Sequence, residues 1–176
     1  MNNEQTSTIE VLKLAVQMEK DGKEFYRKAS RKSSNKLAKE LFRQLANEED
    51  DHRKKFVEIY GALRKGQNWP DVEPAFEKGR RLKSLFAEAA KALDSKFEVA
   101  ESEFKAIKMA MDMEIRSYDL YRLRSKESNL PVEKRFYEAL ASEERGHHLV
   151  LLDSYEYFSD PAGWFTRKEH WSLDGV

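Results

Sequence analysis

The chain has 176 residues, 32 lysines and arginines, 32 aspartates and glutamates, and no cysteine. This length suits a single domain, and a net charge of zero offers no bulk attraction to nucleic acid or to an acidic membrane surface. The absence of thiols excludes disulfides and thiolate metal sites, no apolar run could span a membrane, and the polar segment 1–7 is unlike a secretory signal; we therefore expect a cytoplasmic protein in which any metal is held by nitrogen and oxygen.

Two helices are predicted in the first part of the chain from apolar residues that recur with helical period. The first covers about 8–30 and the second about 35–60, and the short polar turn at 32–35 makes the two antiparallel. The stretch 61–101 follows, with glycine and proline breaks and then a short helical pattern at about 82–93. This stretch is long enough to cross a helical bundle lengthwise.

The last two predicted helices form a second antiparallel pair. One begins near Ser102, a suitable N-cap, and ends near Ser125. The other begins at Pro131, whose fixed φ suits a first helical turn, and ends near Phe158. The sequence therefore predicts an all-α protein, a four-helix bundle with one long crossover between helices two and three.

The two helical pairs are related by an internal repeat. With an offset of 95, residues 7–52 align on 102–147 without a gap, and 15 of these 46 positions are identical. Residue composition alone would give roughly three such matches. The halves therefore look like copies of one helical hairpin.

The candidate metal ligands recur at the repeat distance. Two of the four histidines follow a glutamate by three residues, a spacing that places both side chains on one helix face. Each pair alone is a weak signal that a surface contact would explain, but both pairs occupy the same place in the repeat, and a further glutamate lies 30 residues before each of them. The six candidates are Glu19, Glu49, His52, Glu114, Glu144 and His147.

The four candidate glutamates are flanked by apolar residues on their own helix faces. Carboxylates gathered in a core need compensation, because desolvation and mutual repulsion both penalise the charged form. Two divalent cations would balance four negative charges; the alternative is protonation, with the pKa raised in all four. Nitrogen and oxygen ligands accept iron, manganese and zinc alike, so the spacing does not choose the metal.

The stretches 15–26 and 45–52 resemble the first two helices of the rubrerythrins, in the ferritin-like di-iron carboxylate superfamily. The resemblance covers about 8–158 and includes all six candidate ligands. It implies a duplicated ferritin-like bundle that holds two iron ions. In it Glu49 and Glu144 bridge the ions, Glu19 and Glu114 are terminal ligands, and His52 and His147 each bind one ion.

Other positions refine this resemblance. Tyr26 and Tyr121, seven residues after the terminal glutamates, match a family position whose hydroxyl supports a ligand carboxylate, although an aromatic residue on a bundle stripe is also ordinary core. Ser117 stands where rubrerythrins usually carry an additional glutamate, so movement of iron between ligands is not implied. Asp50 stands where bacterioferritins carry a haem-binding methionine, so no haem is expected.

Several polar residues near the candidates have weaker interpretations. Glu48 and Glu143 are paired in the repeat and point about 100° away from the adjacent ligand glutamates on a helix. They are predicted either to form hydrogen bonds behind the ligands or to be solvated. His148 and His170 are expected at the surface.

The C-terminal segment differs in composition from the predicted bundle. We assign 1–158 to the ferritin-like bundle and 159–176 to an aromatic tail. Its Trp164, Phe165 and Trp171 are expected to pack on the bundle or on a partner subunit, because so many aromatic side chains rarely remain in water.

The resemblance implies a redox enzyme that reduces hydrogen peroxide, or oxidises ferrous iron with oxygen or peroxide. Full-length rubrerythrins also carry a rubredoxin module, which a chain without cysteine lacks, so electrons would come from a separate donor such as rubredoxin. A homodimer is expected. Two alternatives stay open: an iron-binding or iron-storage protein without turnover, and a metal-free helical module.

Overall fold

The computed structural model describes residues 3–72, 99–164 and 166–167, with side chains from residue 8 onward. In these ranges every element of regular secondary structure is a helix, which confirms the predicted all-α fold class. The predicted helix at 82–93 and the tail residues Phe165, His170 and Trp171 lie outside the described positions. The four long helices are α1 (Asn3–Lys32), α2 (Lys36–Arg64), α3 (Glu101–Glu127) and α4 (Pro131–Ser159).

Two helices begin as their local sequence predicts. The Asn35 side chain caps α2 and accepts hydrogen bonds from the backbone N–H groups of Leu37 and Ala38, at 2.9 and 3.1 Å. Pro131 occupies the first turn of α4, after Leu130 at the N-cap. A proline fits there because its missing N–H would have no helical partner.

The start of α3 corrects the sequence prediction. Ser102 is not the N-cap; Ala100 occupies that position, and the Glu103 carboxylate accepts a hydrogen bond of 2.8 Å from its N–H. The same buried carboxylate accepts a bond of 2.9 Å from the N–H of Asn35 and contacts the Ser34 hydroxyl at 3.5 Å. Glu103 therefore ties the start of α3 to the turn between α1 and α2.

The helices pack as two antiparallel hairpins, α1 with α2 and α3 with α4, which meet along α1–α3 and α2–α4. The apolar core forms two clusters. One, around Phe42 and Tyr157, lies at the bundle end where α1 and α4 finish; the other, around Phe56 and Phe136, lies at the opposite end. Between them lies the middle of each helix. Within the described ranges, none of the helices combines the length and apolarity that a membrane crossing needs.

The described part of the tail turns back onto the bundle. After α4, residues 161–164 form a short helical turn, and Trp164 is buried with its ring edge-on to Tyr157 at 5.4 Å between centroids. Tyr157 also lies 5.9 Å from the ring of Phe158. This aromatic group closes one end of the core.

Candidate metal centre

The structure brings all six candidate ligands together halfway along the bundle, between the two apolar clusters. Each helix contributes at its midpoint, and every one of these residues is 5% exposed or less. The helical period places them there, because Glu-x-x-His on α2 and on α4 presents both side chains inward from one face. α1 supplies Glu19, α2 Glu49 and His52, α3 Glu114, and α4 Glu144 and His147.

One half of the centre is built around His52. Its Nδ1 lies 3.5 Å from Glu19 Oε2 and 3.2 Å from Glu144 Oε1. Glu19, Glu49 and His52 each offer one ligand atom, and these atoms lie within 4.8 Å of one another. An ion placed among them would have oxygen and nitrogen ligands from α1 and α2.

The other half is built around His147. Its Nδ1 lies 3.5 Å from Glu114 Oε2, 3.5 Å from Glu144 Oε2 and 3.6 Å from Glu49 Oε1. These four residues form a second group of ligand atoms within 4.8 Å of one another. Glu49 belongs to both groups, and Glu144 contacts both histidines through different oxygens. These two carboxylates therefore lie where a bridging ligand would.

The outer nitrogen of each histidine meets a buried glutamate of the other hairpin. His52 Nε2 lies 2.5 Å from Glu143 Oε2, and His147 Nε2 lies 2.8 Å from Glu48 Oε2. A carboxylate at Nε2 fixes the ring orientation and favours the tautomer whose Nδ1 is free for a metal. Of the two readings of Glu48 and Glu143, the structure supports hydrogen bonding behind the ligands. The repeat is the sequence signal that marked these two glutamates, but it does not show which histidine each would reach.

The two tyrosines also bond across the hairpins. The Tyr26 hydroxyl on α1 donates to Glu114 Oε1 on α3, and the Tyr121 hydroxyl on α3 donates to Glu19 Oε1 on α1. Both rings are fully buried. Burial and the neighbouring carboxylate, Glu114 for Tyr26 and Glu19 for Tyr121, raise the pKa of each phenol well above its usual value, so both hydroxyls remain donors.

The carboxyl groups divide into two electrostatic classes. Burial raises the pKa of Glu144 to about 7 and that of Glu49 well above its usual value, and neighbouring carboxylates add to both shifts. Burial opposes ionisation of Glu114 as well, but attraction to His147 outweighs it and holds its pKa at about 2. His52 likewise holds the pKa of Glu19 below its usual value.

The histidines carry the compensating protons of the metal-free chain. Burial would lower the pKa of each imidazole, but the surrounding carboxylates outweigh burial and raise it well above its usual value. Without metal, protons on the two imidazoles and on Glu49 therefore offset much of the buried charge, and Glu144 contributes a proton below about pH 7. Divalent cations would replace these protons, since a metal binds deprotonated ligands.

The donor atoms fit a metal. Several buried atoms face the centre without a hydrogen-bond partner among the described residues, which is costly for a polar atom unless something binds it. They come from five of the six candidates: Glu19 Oε2, Glu49 Oε1, both Glu144 carboxylate oxygens, and the Nδ1 atoms of His52 and His147. Carboxylate oxygens and imidazole nitrogens are the ligand types that iron, manganese and zinc accept.

Gly22 is a residue of the site that the sequence did not single out. A Cβ added there would lie 3.0 Å from Glu49 Oε2, closer than ordinary van der Waals contact. Its repeat counterpart is Ser117, where rubrerythrins usually have the additional glutamate. Glycine in mid-helix lowers helix propensity, and here its missing side chain leaves room for the Glu49 carboxylate.

His148 does not join the cluster, but its position differs from the expected one. It is half-buried, and its Nδ1 lies 3.4 Å from the backbone oxygen of Met111 on α3. It lines a cleft that reaches Glu114 and Glu144. His148 follows Glu144 by four residues, so the two side chains lie on the same face of α4, one turn apart.

The fold and the buried cluster define a class of protein, the helical bundles whose buried carboxylates and imidazoles can hold metal ions. The family model of the rubrerythrins matches residues 10–156, and the chain belongs to the rubrerythrin family, which binds di-iron centres. A solved structure of a hypothetical protein from Pyrococcus furiosus is similar in fold, with a TM-score of 0.64, 22% identity, and coverage of 86% of this chain and 90% of that one. Among curated proteins none gives a significant match.

Proposed function

We propose that the protein is a di-iron redox enzyme that reduces hydrogen peroxide. The observation that carries this proposal is the pair of ligand groups that share Glu49, with their unpartnered atoms facing inward. Shared carboxylates hold two ions close enough to act together. Iron is the expected metal because the rubrerythrin family binds di-iron centres.

Reduction of one peroxide consumes two electrons and two protons and gives two waters. A bound pair of irons would supply the electrons, one from each ion. The chain's own residues hold the centre in place: the Tyr26 and Tyr121 hydroxyls orient the terminal glutamates, and Glu48 and Glu143 orient the imidazoles. The apolar clusters at both ends keep water from reaching the buried charges along the bundle axis.

The electron donor is proposed to be a separate protein in the cytoplasm, such as rubredoxin, because the chain has no cysteine for an iron–sulfur module of its own. A homodimer remains part of the proposal. Leu14 and Met109, which are equivalent in the repeat, are both large exposed apolar residues and would suit a subunit contact. Light scattering of the loaded protein measures the subunit number.

The test compares oxidants under single-turnover conditions. Protein loaded with two ferrous ions should be oxidised by about one equivalent of hydrogen peroxide per site, faster than by dissolved oxygen. Continuous peroxide consumption should require an added donor, such as rubredoxin with its reductase. His52→Ala should slow the oxidation, because one ion loses its nitrogen ligand.

Other outcomes would point to other functions. Oxidation that is faster with oxygen would favour ferroxidase activity. A storage protein would take up tens of irons per chain and form a large assembly. If it also consumed no peroxide when the electron donor is supplied, the enzyme proposal would be contradicted.

A further inference from the structure

The two sides of the metal centre differ although the two hairpins are copies. On the α3–α4 side, a cleft of about 230 Å³ extends from the surface to the carboxylates of Glu114 and Glu144. Its volume gives space for several water molecules. The remaining lining comes from Ile115, Tyr118, Asp119, Arg145 and His148.

The equivalent positions on the α1–α2 side are occupied by an ion-pair cluster. Lys23 Nζ lies 2.6 Å from Asp50 Oδ1, and the two side chains are only 15% and 20% exposed. Asp50 also binds Arg53 and Lys54, at 3.0 and 3.2 Å. With the offset of 95, Lys23, Asp50 and Arg53 correspond to Tyr118, Arg145 and His148. At these three positions one copy carries an ion-pair cluster and the other copy lines a cleft.

Charge also distinguishes the two sides. The cleft is lined by three carboxylates, Glu114, Glu144 and Asp119, against one guanidinium, that of Arg145. The seven equivalent positions on the other side hold three cations, Lys20, Lys23 and Arg53, against the four carboxylates of Glu19, Glu24, Glu49 and Asp50. A small cation is drawn to a concave surface of net negative charge, and the additional cations of the other side oppose its approach there.

We propose that divalent cations reach and leave the metal centre through the cleft between α3 and α4, and not across the Lys23–Asp50 side. This inference rests on the proposal that the centre binds metal. The unpartnered oxygens of Glu144 lie at the inner end of the cleft and would be the first to meet an arriving ion. Asp119 is an exposed residue of the cleft lining, and its carboxylate would attract the ion from solvent.

The steric test places a large side chain at equivalent positions on the two sides. Ile115 is 43% exposed and lines the cleft, and its repeat counterpart is the exposed Lys20. Each directly follows a terminal candidate ligand, so any disturbance of that ligand is matched. We expect Ile115→Trp to slow Co²⁺ uptake by metal-free protein, and its release to a chelator, several-fold. Lys20→Trp should leave both rates unchanged.

The charge test uses a second matched pair. Asp119→Lys reverses a charge at the cleft, and Glu24→Lys makes the same change at the equivalent position on the other side, where Glu24 is also exposed. Asp119→Lys should slow Co²⁺ uptake by about tenfold at low ionic strength, and much less in high salt. Glu24→Lys should not slow it. This pair decides the matter if Ile115→Trp fails to fold.

Equilibrium Co²⁺ content separates failure of this proposal from failure of the proposed function. All four variants should bind as many ions at saturation as the wild-type protein. The cleft is not the route if the wild type binds Co²⁺ but the cleft variant of a matched pair takes up Co²⁺ as fast as its control variant. If the wild type binds no metal, the proposed function fails instead.

Discussion

Glu144 lies at the centre of the buried cluster, with one oxygen 3.2 Å from His52 and the other 3.5 Å from His147. Its folded-state pKa of about 7 exceeds the ordinary value of 4.5, so its contribution to stability is present at low pH and is lost as the pH rises through about 7. Glu49 and both histidines, with raised pKa values, act in the same direction. The metal-free protein should therefore melt at a lower temperature at pH 8 than at pH 6.

Glu144→Gln should have opposite effects on the two forms of the protein. Glutamine stays neutral, so the metal-free variant should be more stable than metal-free wild type at pH 8, by up to about 3 kcal/mol. The metal-loaded variant should be less stable than the metal-loaded wild type, because an amide is a poorer metal ligand than a carboxylate. Calorimetry with and without chelator measures both effects, with Glu138→Gln, exposed on the same helix, as the control. Equal losses in both forms would contradict this account.

The carboxylates behind the histidines give a second prediction at the scale of single residues. Glu143→Gln removes the charge 2.5 Å from His52 Nε2 and keeps the side-chain shape. We expect it to weaken binding of one ion by about tenfold and to leave the fold intact. Titration with Zn²⁺ measures the change, and the exposed Glu138→Gln again serves as control. Unchanged affinity would mean that Glu143 does not orient the ligand.

At the scale of helices, Glu103 connects the two hairpins by accepting hydrogen bonds from Ala100 N–H at the start of α3 and from Asn35 N–H at the start of α2. Glu103→Ala leaves two backbone donors without this partner, and should destabilise the protein by about 1–3 kcal/mol. Glu101→Ala changes an exposed carboxylate paired with Lys105 on the same helix and should cost less than about 1 kcal/mol. Urea unfolding of both variants under chelation tests this, and equal losses would contradict the assigned role.

At the scale of the whole molecule, metal binding and folding should be coupled. Ions that bind only the folded chain stabilise it by about 2.7 kcal/mol each at a hundred times the dissociation constant. We therefore expect chelation to lower the melting temperature. A chelator that leaves the melting curve of loaded protein unchanged would contradict a metal centre in the core.

Stoichiometry provides an independent check at the same scale. Elemental analysis of saturated protein should give two ions per chain. Glu49→Ala should disturb both ions, because Glu49 belongs to both ligand groups, whereas Glu19→Ala should mainly weaken the ion near His52. Saturation by a single ion in the wild type would contradict the two-ion arrangement.

The sequence by itself determined the helices and the residues that gather at their midpoints. Helical period and turn residues are local properties, so all four helix positions were predicted to within a few residues, apart from the start of α1 at Asn3. The start of α3 was misread because Glu103, three residues into the helix, satisfies the backbone from within. The repeat of 95 residues identified Glu19, Glu49 and their partners, since equivalent positions in two copies meet when the copies pack together. Their role as metal ligands stays a prediction.

Only the tertiary structure decided how the two hairpins face each other. It pairs His52 with Glu143 and Tyr26 with Glu114, each across the hairpins. Spacing along one helix could not show these partners, because they depend on the relative rotation and height of two separately folded pairs. The cleft beside Tyr118 and the ion pair of Lys23 with Asp50 were hidden for the same reason. Space and charge at a surface arise from side chains on neighbouring helices, and no single helix encodes them.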